Sequence, residues 1–206
     1  MTAFEFFFSF YGLLLGFSVA ELVGGFARVL HERKHVRFGA LTPLLAIFVA
    51  MDIATFWVQA WVIFCNAPFN FALLVLGLVV ASVFYVAATL VFPRDIKASP
   101  VLDDHFWQQR SLILLCVLGA NVLMIGLVFA VAGPNGELQA VLGQRWYGTV
   151  FFVTLTSIAA FVRGRTPMLA LLTALVLYHG YNVSLAVISL VDRGGWSLLQ
   201  APAVAP

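Results

Sequence analysis

Six apolar runs separated by short polar gaps leave this chain few ways to fold. They cover residues 4–29, 41–64, 69–92, 111–132, 146–162 and 168–191. A bilayer span needs about 20 mostly apolar residues at about 1.5 Å rise each, and all but the fifth run exceed that. The gaps carry a second signal, because nine of the eleven Lys and Arg residues fall in alternate ones. Arg28, Arg33, Lys34 and Arg37 follow the first run, Arg94, Lys97 and Arg110 the third, and Arg163 and Arg165 the fifth. The opposite side holds Arg145 and Arg193. Cytoplasmic loops retain Lys and Arg, so the pattern predicts an all-α polytopic membrane bundle of six transmembrane helices. The N-terminus and C-terminus are both expected outside.

Composition agrees with that class. Apolar residues make up 63% of the chain and charged residues 10%, against about a quarter charged in soluble domains. At 206 residues there is room for one six-helix domain over residues 1–193 and a short flexible extracytoplasmic tail over 194–206. A net charge of +2, with the basic residues at span flanks, points to the lipid bilayer as partner and not to nucleic acid. The opening MTAFEFFF lacks a basic n-region and a small-residue cleavage site, so the first run is expected to stay as a helix. Cys65 and Cys116 fall at different depths in the proposed topology. A disulfide needs Cα atoms within about 7 Å, so both are expected as free thiols.

Local punctuation supports the spans. Thr42-Pro43 and Thr166-Pro167 each read as a helix N-cap followed by proline at the first helical position. Asn70 is placed to cap the third span. Trp107, Trp146, Tyr147 and Trp196 flank spans at the depth of an aromatic belt. In the gap over 93–110, Ser99-Pro100 and Asp103-Asp104 both resemble helix starts, which predicts a short interfacial helix leading into span four. The first three spans show no convincing inverted likeness to the last three.

Several polar groups stand where lipid makes them costly. Asp52, Asn121 and His179 lie near the middles of spans two, four and six, and Glu21 lies toward the cytoplasmic half of span one. An ionised acid at the bilayer centre costs on the order of 2.5–3.5 kcal/mol, so these residues are expected to face the bundle interior. Thr55 and Gln59 follow Asp52 at i+3 and i+7, while Asn182 and Ser189 continue the face of His179, with Tyr178 and Tyr181 beside it. The candidate substrate or proton site is therefore Asp52, Glu21, His179, Asn182, Asn121 and Gln59. The competing reading is structural, since protonated acids and amides also join helices through ordinary hydrogen bonds.

Gly12, Gly16, Ala20 and Gly24 recur every four residues along span one. Such a stripe lets another helix approach closely, either within the bundle or in a homodimer. His31 and His35 have the spacing of one histidine box of membrane di-iron enzymes, but His105 and His179 are the only other histidines, too few for such a centre. A bis-histidine haem fails because only His179 is deep in a span. Asp103-Asp104-His105 is better explained as an acidic helix start than as a divalent-ion site. No nucleophile motif is present. No metal, cofactor or catalytic residue is expected, and an enzyme is the less favoured reading.

The run FPRD followed by LDDHFWQQR, after a third span, resembles a set of uncharacterised bacterial six-helix inner-membrane proteins. The resemblance implies a bacterial inner (plasma) membrane and carries no activity with it. Two functions stay open. The first is binding or transport of a small solute through a polar mid-membrane site. The second is a non-catalytic scaffold or accessory subunit that packs against partner membrane proteins. A hydrated cavity joining the polar residues would mark the first, and a packed interior with an outward patch of small residues the second.

Overall fold

The computed structural model describes residues 3–37, 39–64, 71–95, 101–134, 136 and 138–192. They form six α-helices: α1 (Ala3–His31), α2 (Leu41–Phe64), α3 (Phe71–Val91), α4 (Leu102–Ala132), α5 (Leu138–Phe161) and α6 (Arg165–Asp192). Among the described residues there are no strands, only an isolated bridge between Arg37 and Val101. Five helices are long and apolar enough to cross a membrane, and α5 supplies a shorter apolar stretch, Trp146–Phe161. Its earlier turns hold Gln139, Gln144 and Arg145, which is why the helix is longer than its apolar run. Lipid cannot hydrogen-bond a bare backbone, so uniformly apolar runs of this length become helices.

The helices close into a ring. α1 packs on α3, α3 on α4, α4 on α5, α5 on α6, α6 on α2, and α2 back on α1. α2 also meets α3 and α4 across the ring, so its middle is the most enclosed place in the bundle. The α2–α4 contact divides the interior into two compartments. One, between α1, α2, α3 and α4, is apolar, with Phe56 and Phe84 edge to face at 5.0 Å. The other lies between α2, α4, α5 and α6. α1 packs on α3, whereas the equivalent α4–α6 pair makes no contact among the described residues.

Large side chains seated on glycines set the closest helix approaches. A Cβ on Gly25 would lie 2.6 Å from the Phe92 ring, and one on Gly77 would lie 2.9 Å from the Phe7 ring. The Gly12, Gly16, Ala20, Gly24 stripe divides instead. Gly12 packs against Trp57 of α2, where an added Cβ would come within 2.9 Å. Gly16 has open space, Gly24 meets only its own Arg28, and Ala20 is exposed. The buried face of α1 is Phe7, Tyr11, Leu15, Ser18 and Leu22, so the later stripe residues point out of the bundle.

Both expected caps shift by two residues. α2 begins at Leu41 and α6 at Arg165, with Leu44 and Met168 donating to the carbonyls of Ala40 and Gly164 at 3.2 and 3.3 Å. Gly164 has φ +116°, a backbone that suits glycine. Pro43 and Pro167 remain in first turns, where an amide proton has no intrahelical partner anyway. The Thr42 hydroxyl, freed from capping, donates to Leu102 O at 3.1 Å. α4 runs unbroken from Leu102, so among the described residues the short helix expected before span four is the first turns of α4 itself. Asp103 and Asp104 sit in its first turn, where negative charge offsets the helix dipole. Cys65, Asn70, Lys97, Ser99-Pro100, Arg193, Trp196 and the tail lie outside the described residues.

The ends of α1, α3 and α5 and the starts of α2, α4 and α6 meet at one face of the bundle. The Arg37–Val101 bridge, the Thr42–Leu102 bond and an Arg165–Asp103 ion pair at 3.3 Å join them. The alternate basic gaps of the sequence therefore come together on one side.

Candidate functional site

Asp52 stands eleven residues after the start of α2 and twelve before its end, at mid-height in the enclosed helix. It is 2% exposed, as is His179 on α6. Asn121 on α4 donates from Nδ2 to Asp52 Oδ2 at 3.0 Å and to Val117 O at 3.0 Å. The other carboxyl oxygen, Oδ1, lies 3.7 Å from His179 Nε2. That separation is beyond a hydrogen bond, and His179 Nε2 has no partner among the described residues. On the far side of the ring, His179 Nδ1 lies 3.2 Å from the Thr55 hydroxyl, which itself donates to Met51 O at 2.9 Å.

Aromatic rings wall the pair. Phe48, Phe152 and Tyr178 have centroids 5.6–5.8 Å from that of His179. α2 thus supplies Asp52 and Thr55, α4 Asn121 and α6 His179 to a polar centre, and α5 supplies Phe152 as its wall. The phenol of Tyr11, on α1, is buried without a hydrogen-bond partner among the described residues.

Four residues named from the sequence, Asp52, Thr55, Asn121 and His179, come together. The others do not join them. Glu21 pairs with Arg28 at 3.1 Å, and both are partly exposed. Gln59 is exposed, along with Trp57, Val58 and Trp61, because the outer turns of α2 emerge from the bundle on that side. Asn182 donates to Tyr178 O at 2.9 Å within α6, and Ser189 is exposed and bonds to Ala186 O. Cys116 is a half-buried free thiol.

Arg110 escaped attention as more than a topology marker. It is 8% exposed, donates to the carbonyls of Ala159 and Val162 at the end of α5, and lies over the Trp107 ring at 4.4 Å. Ser111 donates to Ala160 O at 2.7 Å beside it. Its place at the start of an apolar run was the available signal, since a buried arginine must find acceptors. No family model matches the chain, and neither a characterised protein nor a solved structure resembles it at a significant level.

Proposed function

We propose that this chain is a multi-pass protein of a bacterial inner membrane, with both ends outside, that binds or passes a small solute through a proton-carrying centre at Asp52 and His179. The carrying observation is an acid and a histidine, each 2% exposed, facing one another at mid-height with an unpartnered ring nitrogen between them. Ionisable groups are expensive inside a membrane, and paired ones mark proton relays and solute pathways. Asn121 and Thr55 support the reading by fixing the orientation of both groups.

Proteoliposomes of the whole chain, loaded with a pH dye, test it. Challenged in turn with amino acids, sugars and organic cations, they are expected to show a proton-linked response to one class that Asp52→Leu abolishes. No response to any class, together with a wild-type phenotype for Asp52→Asn in a strain lacking the chromosomal copy, rejects the proposal.

A second reading, a scaffold or accessory subunit, draws on the outward face of Gly16, Ala20 and Gly24 and on the rings that close around His179. Cysteine placed at Ala20 would cross-link in native membranes to another protein under this reading, and to nothing if the face meets only lipid.

A further inference from the structure

We infer that Asp52 and His179 form an uncharged pair holding one exchangeable proton, carried on Asp52 Oδ1 opposite a bare His179 Nε2, with Thr55 and Asn121 as positioning residues. The inference deepens the proposed proton-carrying centre and rests on it for its biological meaning. Its physical basis is the direction of three hydrogen bonds.

The Thr55 hydroxyl has a single proton, and Met51 O at 2.9 Å takes it. Toward His179 Nδ1, at 3.2 Å, Thr55 can then only accept, so Nδ1 carries a hydrogen. A neutral imidazole protonated at Nδ1 presents a lone pair at Nε2. Asn121 Nδ2 is a donor, so Asp52 Oδ2 is an acceptor and the carboxyl proton belongs on Oδ1, the oxygen that faces Nε2. The alternative arrangement, a carboxylate facing an Nε2–H, puts charge at the height where lipid penalises it most.

The loaded pair therefore carries no net charge. Losing the proton leaves a carboxylate and a lone pair facing each other, a −1 state that repels across the α2–α6 contact and favours separation of those helices as pH rises. The groups near the pair from the packed elements carry no opposite charge, although Asn121 donates a hydrogen bond to the carboxyl group. They are the Tyr11 phenol from α1, Asn121 from α4, Phe152 from α5, and Tyr178 beside His179 on α6.

Nitrogen-15 spectroscopy of histidine in the full chain, reconstituted in lipid, reads the arrangement directly, with His179 identified by its loss in His179→Gln. The expected spectrum is a neutral ring protonated on Nδ1. Thr55→Val removes the acceptor and is expected to move the proton to Nε2, and Thr55→Ser to restore it. Asp52→Asn is expected to keep the proton on Nδ1, because the amide N–H replaces the carboxyl O–H opposite Nε2. A wild-type His179 protonated on Nε2 or on both nitrogens overturns the inference, as does a Thr55→Val spectrum identical to wild type. None of these readings needs a solute, so a chain that fails every solute assay yet shows this tautomer loses the proposed function and keeps the proton pair.

Discussion

Asn121 reaches across the α2–α4 contact and donates to Asp52 Oδ2 at 3.0 Å, so one edge of the acid is committed to accepting. An asparagine at position 52 can meet the same demand, with its carbonyl toward Asn121 and its amide toward His179 Nε2. Asp52→Asn is therefore expected to unfold within about 1 kcal/mol of the wild type, the net worth of an ordinary hydrogen bond. Asp52→Leu leaves one Asn121 amide proton unpaired, and is expected to cost about 1–3 kcal/mol more than the amide. Thermal unfolding in detergent decides the order. A leucine variant as stable as the asparagine one means the acid makes no useful polar contact.

Glycines that receive an aromatic ring from another helix govern packing of α1. Gly25→Leu drives a side chain into the Phe92 ring, already 2.6 Å from where a Cβ would stand. Overpacking of this kind costs about 1–3 kcal/mol, which should appear as a clear fall in the unfolding midpoint. Gly16→Leu meets open space and is expected to leave the isolated chain unchanged. If Gly16→Leu lowered the midpoint and also changed the mass in detergent, that face would be a protein interface.

The contrast between those glycines shows what the sequence could disclose. Helix number was legible because lipid leaves an apolar run one backbone solution, whereas α4 and α5 extend well before their apolar runs. The heights of Asp52, Asn121 and His179 followed from counting residues. Which of them share a compartment did not, because helices apolar all round have no polar face to mark the outside. Gln59 shares the face of Asp52 by periodicity, yet it is exposed where α2 leaves the bundle. The small-residue stripe failed for a related reason. A groove on one helix says nothing of what fills it, and the rings that seat on Gly25 and Gly77 come from distant positions, Phe92 and Phe7.

The convergence of the basic gaps on one face gives a direct test of orientation. An alkaline phosphatase fused after Asp192 is expected to be active, and one inserted near Ala98 silent, if that face is cytoplasmic. Activity reversed at the two positions would invert the bundle. Equal activity at both would require an even number of crossings between them, where α4, α5 and α6 make three.

Arg110 is expected to hold α5 in register. That helix has the shortest apolar stretch, Trp146–Phe161, and its final carbonyls have no intrahelical donors. The Arg110 guanidinium from α4 supplies donors to Ala159 and Val162, and the Trp107 ring braces it from the other side. A positive group at a helix C-terminus also interacts well with the helix dipole. Arg110→Met should therefore cost about 1.5–3 kcal/mol, the range for hydrogen bonds to a charged group. Arg110→Lys keeps the charge but loses the planar guanidinium that lies over the Trp107 ring, so it should recover only part of the loss. Hydrogen exchange separates this local role from a general one. The amides of the last turn of α5 should exchange faster in both variants, while those around Asp52 stay protected. If Arg110→Lys matched the wild type in both stability and exchange, the arginine would be acting through its charge alone and not through the planar guanidinium stacked on Trp107.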